Sequence, residues 1–271
     1  NFLAGLSSEV LGGFSPMRNW QVRNLEVSAE SAISVESDLL GQEKILFNKK
    51  KEQRLPIASL TKLMTSLVVL ENYDLSKEVV IDNIVAAQEG EQGNLKAGQV
   101  ISIENLLYIM MLESSNKAAY ALSEIMGEER FVSLMNYQAK KLGMEKTFFE
   151  DSTGLSALNI STVKDLVILA EYELKNYPEI AKITRTKEYD IPNYGKIINT
   201  NQLLGEVPQV VAGKTGFTTD AKGCLLLVLD NPKNSNYLIH VILGSDDRFS
   251  EMKKMISWAI TAYTWQAIKL Q

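Results

Sequence analysis

Two residue types that many enzymes rely on are nearly missing from this chain: it has one cysteine, Cys224, and one histidine, His240, in 271 residues. A single cysteine excludes an internal disulfide, and with one histidine beside it no Cys/His zinc pattern exists. Cys224 lies in the apolar run Gly223-Cys224-Leu225-Leu226-Leu227, where a small buried residue is expected, so cysteine usage leaves the compartment open. His240 lies in Tyr237-Leu238-Ile239-His240-Val241-Ile242-Leu243, which reads as a buried strand carrying a core histidine. A Ser-His-Asp triad would have to use that residue, and no G-x-S-x-G elbow is present to hold its serine. Serine chemistry here needs another base. A basic excess is also missing: the net charge is −5 and the pI about 5.2, which argues against a nucleic-acid surface. The one dense basic run, Lys49-Lys50-Lys51, reads as a solvated hairpin tip. No stretch reaches transmembrane length, and there is no internal repeat or low-complexity linker. The chain starts at Asn1, and Asn1 to Phe14 is mildly apolar with glycines, which suits a mature or trimmed chain and leaves open a removed signal or anchor segment.

What is present is ordinary for a globular protein, with 45% hydrophobic and 23% charged residues, and the length suits one large domain or two small ones. Ala32 to Glu36 and Lys44 to Phe47 read as short strands around a Gly41-Gln42 turn. From Ser59 the pattern becomes helical, and Leu60, Leu63, Met64, Leu67, Val68, Val69 and Leu70 cover more than one face, as in a buried helix. Further helices are expected over Ile103–Leu112, Asn116–Met126, Glu128–Leu142 and Thr162–Asn176, with Ser102 as a cap and Gly127 and Gly143 as stops. Strands return at Glu188–Ile191, Gln209–Ala212, Gly223–Leu229 and Tyr237–Leu243, with a turn cluster from Asp230 to Asn234. A long helix over about Asp247–Leu270 closes the chain. This order predicts an α+β fold: an antiparallel sheet of about five strands flanked by helices, with an all-helical subdomain inserted. The expected division is an N-terminal segment over 1–26 and one catalytic domain over 27–271, its sheet part 27–58 and 181–271 and its helical part 59–180.

The chemistry sits in three short motifs. Ser59-Leu60-Thr61-Lys62 is one of four S-x-x-K matches, the others being Ser114/Lys117, Ser161/Lys164 and Ser250/Lys253, so spacing alone decides nothing. Ser114-Ser115-Asn116 is the one S-x-N and Lys214-Thr215-Gly216 the one K-T-G. Ser114 follows Ser59 by 55 residues and Lys214 follows Ser114 by 100, and the three together in this order are specific. At i and i+3 on an apolar helix, Lys62 lies one turn from Ser59, and desolvation there frees a neutral amine to act as base. A permanent cation at Lys214 with the Thr215 hydroxyl beside it suits a substrate carboxylate. Of the other copies, Ser161 reads as an N-cap and Ser250/Lys253 as the solvated start of the last helix.

This set resembles the penicillin-recognising serine enzymes, a β-lactamase/transpeptidase-like superfamily of penicillin-binding proteins and serine β-lactamases. The surroundings narrow it to low-molecular-mass, serine-type D-alanyl-D-alanine carboxypeptidases. Arg54 to Thr65 looks like their active-site stretch, and Gly98 to Ala119 like the helix leading into S-x-N. Asp151-Ser152-Thr153-Gly154-Leu155 resembles their F-x-N-P-x-G-L segment, and Asn199 to Leu204 precedes Lys214 to Thr218 at the family's distance, so the resemblance covers about Ala32 to Ala259. It implies Ser59 as acyl-ester nucleophile and Lys62 as general base. It also implies Ser114 in proton relay, Asn116 on the substrate amide and Lys62, and Lys214, Thr215 and Gly216 on the substrate. The backbone N–H of Phe217 would form the oxyanion hole with that of Ser59. The implied partners are peptidoglycan peptides ending in D-Ala-D-Ala, with β-lactam antibiotics as covalent inhibitors, no cofactor and no metal. The implied location is extracytoplasmic, in the cell envelope, with any membrane anchor and the C-terminal β-domain of many members absent from this chain. Lys117 departs from the family's usual aspartate. Two other readings remain at this point. A class A β-lactamase would need a deacylating glutamate in E-x-x-x-N; Glu150 lies 36 residues after Ser114, but position 154 is glycine. A non-catalytic penicillin-sensing domain would keep the serine and lysine too.

Overall fold

The computed structural model describes residues 14–90 and 93–267. Along the chain, β1 (Phe14–Arg18) is followed by the hairpin of β2 (Ser31–Ser37) and β3 (Glu43–Lys49), then β4 (Leu55–Pro56) and a 3₁₀ turn, Ala58–Leu60. The helical region holds α1 (Thr61–Asn72), β5 (Glu78–Val80), α2 (Asn83–Ala86), β6 (Val100–Ser102), α3 (Ile103–Leu112), α4 (Asn116–Glu124), α5 (Glu128–Lys141), β7 (Ile160–Ser161) and α6 (Val163–Asn176). After α7 (Pro178–Thr184) come β8 (Glu188–Ile191), β9 (Gly195–Ile198), β10 (Val210–Thr218), β11 (Lys222–Asp230), β12 (Tyr237–Ser245), α8 (Arg248–Ala262) and β13 (Tyr263–Ala267).

Five of these strands make one antiparallel sheet in the order β10-β11-β12-β2-β3, so both ends of the chain build it and the helical region lies between them in sequence. The central strands are buried on both faces, which is why they read as continuous apolar runs rather than as an alternation. Side chains still divide with period two. Ile33, Val35, Val228, Ile239 and Val241 join the core shared with α1, α3 and α6, while Ala32, Leu225, Leu227, Leu238 and Ile242 pack against Met252, Met255 and Ala259 of α8. His240 and Cys224 are fully buried in this sheet, as their sequence context implies. The β11–β12 hairpin is tied down by Glu36, whose Oε1 accepts from the side-chain amides of Asn231 (3.0 Å), Asn234 (2.7 Å) and Asn236 (3.3 Å).

Helix α1 is the element on which the site is built. Every residue from Thr61 to Val69 is buried, so its polar groups must find partners within the protein. Ser66 Oγ donates to Leu63 O at 2.7 Å, and Thr65 Oγ1 donates to Ser152 O at 2.7 Å, which fastens the 151–156 loop to the helix. The 3₁₀ turn ahead of it places Ser59 half-buried at the sheet edge beside β10.

Several expectations change. The closing helix ends at Ala262 rather than near Leu270: Tyr263-Thr264-Trp265 are aromatic and β-branched, favour extended backbone, and pair as β13 with β1. Part of the 1–26 segment therefore belongs to a sheet, while Asn1 to Gly13 lie outside the described residues. Thr162, not Ser161, caps α6, its Oγ1 accepting from Asp165 N at 3.0 Å; Ser161 is in β7. The tip of the β2–β3 hairpin is at 38–42, and Lys49–Lys51 instead turn the chain out of β3.

Leu67 on α1 is fully buried and outside the cleft described below. Leu67→Ala should cost about 2–5 kcal/mol by urea denaturation through the cavity it leaves, with unchanged reactivity of Ser59 per folded molecule.

Candidate active site

The sheet edge, the 3₁₀ turn, the α3–α4 turn and the 151–156 loop enclose a cleft of about 350 Å³, lined by Ser59, Ser114, Asn116, Leu155, Thr200, Thr215, Phe217 and Arg248 among others. Two of its approaches leave no room for a side chain. A Cβ on Gly154, whose φ is +87°, would stand 2.1 Å from Ala58 O and 3.0 Å from Ser59 N. A Cβ on Gly216 would stand 3.1 Å from both Ile57 O and Ser59 N. The serine turn is thus clamped between two glycines, one on the loop and one on β10. Strain gathers here as well: Ala58 and Ser114 are non-glycine residues at φ 47° and 63°, each worth about 1–3 kcal/mol.

All eight residues singled out in the sequence meet at this point. Lys62 is fully buried, and its Nζ donates to Ser59 Oγ at 3.0 Å, Asn116 Oδ1 at 2.7 Å and Thr153 O at 2.5 Å. Burial lowers the amine from 10.5 to about 7, with the Asp151 carboxylate opposing the shift. A proton can therefore leave or enter Lys62 near neutrality while the Ser59 hydroxyl stays in hydrogen-bond reach. Asn116 Nδ2 donates to Glu89 O at 3.2 Å, which holds the amide's orientation toward Lys62.

Lys214, expected as a permanent cation for a substrate carboxylate, lies on β10. It is fully buried in β10, and its Nζ donates to Ser114 Oγ at 2.7 Å and to Thr215 O at 3.0 Å. Burial, then the charges of Lys62 and Arg248, drive its amine well below the ordinary lysine range. Thr215 Oγ1 is 2.7 Å from Thr200 Oγ1, and Phe217 is exposed at the cleft rim.

Four groups escaped the sequence reading. Thr153 contributes only a backbone carbonyl, which no residue pattern announces. Asp151 holds the loop of that carbonyl, its Oδ1 accepting from Thr153 N at 2.7 Å and Gly154 N at 2.6 Å. Arg248 follows β12 at the start of α8; its Nη1 donates to Gly216 O at 3.1 Å, and its buried Nε has no partner. A lone arginine after Asp246-Asp247 at the end of a sheet strand was the available signal. Glu113 lines the cleft beside Ser114 and accepts from Tyr194 OH at 2.9 Å; burial raises its carboxyl despite that bond. Glu150 does not reach the cleft: it is exposed on the wall shared with Glu128 and Glu129. The other S-x-x-K copies sort themselves too, since Lys253 pairs with Glu206 and Lys164 with Glu52 at the surface.

A family model described as peptidase S11, D-alanyl-D-alanine carboxypeptidase, matches residues 18–247. The chain is 33% identical over 265 residues to the D-alanyl-D-alanine carboxypeptidase DacF of Bacillus subtilis, covering 92% of this chain and 67% of that one. It is 32% identical over 229 residues to a D-alanyl-D-alanine endopeptidase of Pseudomonas aeruginosa, covering 80% and 74%. Penicillin-binding protein D2 of Listeria monocytogenes, solved in its cefotaxime-bound form, superposes with a TM-score of 0.75 at 27% identity over 88% of this chain and 99% of that one.

If the Lys62 amine is the base, Ser59 reacts only where that amine is neutral. The rate of covalent labelling of Ser59 by an acylating agent should hold above about pH 7 and fall about tenfold per unit below it. A labelling rate flat from pH 8 to pH 5 would remove Lys62 from that role.

Proposed function

This chain belongs to the D-alanyl-D-alanine carboxypeptidase family and is a serine-type hydrolase of that class; we propose that Ser59 carries the acyl group while the terminal D-alanine of a peptidoglycan stem peptide is removed. The observation that carries this reading is the buried Lys62 amine within 3.0 Å of Ser59 Oγ. Neutral Lys62 takes the Ser59 proton as the oxygen attacks the carbonyl of the penultimate D-alanine. The carbonyl oxygen becomes an oxyanion between the backbone N–H groups of Ser59 and Phe217. As the C–N bond breaks, the proton held by Lys62 passes through Ser114 to the leaving nitrogen, which returns the Lys62 amine to its neutral form; Ser114 Oγ lies 2.7 Å from Lys214 Nζ. Water then attacks the ester carbonyl as the neutral Lys62 amine takes its proton, and Lys62 returns that proton to Ser59 Oγ as the shortened peptide leaves.

The terminal carboxylate of the substrate falls to Arg248 and Thr215 in this account. Lys214 is fully buried, bonded to Ser114 and depressed in basicity, all of which suit proton relay better than permanent charge. Arg248 lines the cleft with an unpartnered Nε, and a guanidinium stays charged where an amine does not. Penicillins would acylate the same serine, their ring carboxylate standing in for that of D-alanine. The β-lactamase alternative has little support, because Glu150 faces away from the cleft and the Thr153 carbonyl occupies the loop position beside Lys62. A stem-peptide substrate places the enzyme outside the cytoplasmic membrane, in the cell envelope. Among the described residues no helix is long and apolar enough to cross a membrane.

Ser59→Ala should abolish both D-alanine release from a D-Ala-D-Ala peptide and the mass gain on penicillin treatment of intact protein; a retained mass gain would remove the nucleophile assignment. Arg248→Ala should lower kcat/KM for the peptide by about 10–100-fold, the worth of a charged hydrogen bond. A comparable loss on a substrate whose terminal carboxylate is amidated would sink the carboxylate role.

A further inference from the structure

We propose that Asp151 is a positioning residue for the Lys62 base: its carboxylate shapes the turn that presents the Thr153 carbonyl to the amine, and its fixed negative charge beside that amine sets the pH at which the site becomes reactive. The inference rests on the assignment of Lys62 as base.

The geometry comes first. Asp151 Oδ1 accepts from Thr153 N (2.7 Å), Thr153 Oγ1 (2.8 Å) and Gly154 N (2.6 Å), and Oδ2 accepts from Ser156 N at 2.8 Å. Four donors converge on one carboxylate, which favours its ionised form. Burial pushes its pKa up, yet these hydrogen bonds outweigh burial and the group titrates below the ordinary aspartate range. The same turn ends its reach on Lys62, through Thr153 O at 2.5 Å. It is held from behind by Glu128, whose Oε1 accepts from Ser152 N at 2.9 Å, and by Thr65. The carboxylate is therefore locked into the turn whose Thr153 carbonyl meets the amine.

The charges acting on Lys62 are few. Its own turn contributes the neutral Ser59 and α4 the neutral Asn116, while Lys214 on β10 is itself held well below the ordinary lysine range by burial and by the charges of Lys62 and Arg248. Among the described residues, Asp151 is the negative charge that acts on it, and it opposes burial. The family pattern resembled by this segment carries asparagine at the same place. Asparagine would preserve the acceptor that serves Thr153 and Gly154, turn an N–H toward Ser156, and remove the charge. This chain thus holds Lys62 more basic than the amide would, and its activity begins at a higher pH.

The test is the pH profile of Ser59 acylation by penicillin, measured between pH 5 and 9 for wild type, Asp151→Asn and Asp151→Glu, with thermal melts for each. Asp151→Asn should move the acid limb down by about one pH unit, so that at the foot of the profile it retains about ten times more of its own plateau rate than wild type. Asp151→Glu should keep the limb at its wild-type position even where its plateau is lower. A lowered plateau with an unmoved limb in Asp151→Asn would leave Asp151 as a turn-former only and overturn the proposal. A wild-type profile with no acid limb would instead overturn the Lys62 assignment, and this inference with it. Should Asp151→Asn fail to fold, ¹³C NMR of the wild-type Asp151 carboxyl decides: it should stay ionised throughout the active range, and a protonation step there would overturn the proposal.

Discussion

A lysine side chain enclosed in an apolar helix is the constraint on which the rest of this molecule turns. Lys62 lies in a run of nine consecutive buried positions from Thr61 to Val69, where a full charge without partners would cost several kcal/mol. The structure meets that cost in two ways. Three acceptors, Ser59 Oγ, Asn116 Oδ1 and Thr153 O, saturate the three donors of an ammonium, and burial makes the amine easy to deprotonate near neutrality. Stability and reactivity therefore share one origin. The packing that excludes water from α1 is also what makes the amine a usable base.

Crowding of cations shapes the remainder of the cleft. Burial, then the charges of Lys62 and Arg248, holds Lys214 well below the ordinary lysine range, and burial opposed by Asp151 brings Lys62 to about 7. A guanidinium keeps its proton under such conditions and an amine does not. The proposed division of labour rests on this difference: amines that would exchange protons with Ser59 and Ser114, and a guanidinium lining the cleft that would keep its charge for an anion. Arg248 is itself held by Gly216 O and lies 4.9 Å from the ring centroid of Phe249, so its position is tied to β10 and α8, not to solvent.

The relatives include both a carboxypeptidase and an endopeptidase, so the shared machinery does not by itself choose the leaving group. Side chains peculiar to the walls can. Glu113, raised in pKa and held by Tyr194, stands beside Ser114; Phe217 is exposed on the opposite rim; Lys117 opens α4 where the family usually has aspartate. Glu113 and Phe217 line the cleft without belonging to the buried helix that carries Lys62.

The sequence by itself determined the elements and the company of motifs. The all-round apolarity of 60–70 is a local property that any reading detects, and so are the continuous strand runs and the three motifs in order. It also excluded His240 as a base, since a histidine inside an unbroken apolar strand has nowhere polar to point. Tertiary structure decided everything that depends on which distant segment comes near. The final helix stops at Ala262 because Tyr263–Ala267 meets β1, a partner 245 residues or more away in the chain. Thr153 serves Lys62 through a carbonyl that every residue possesses. Asp151 gains meaning only from the turn it folds, the burial of Lys214 follows from where β10 packs, and Arg248 joins the cleft only once β12 lies in the sheet. Spacing records neighbours along the chain; burial, charge balance and backbone contacts arise between segments, and they set which of four equal S-x-x-K pairs can do chemistry.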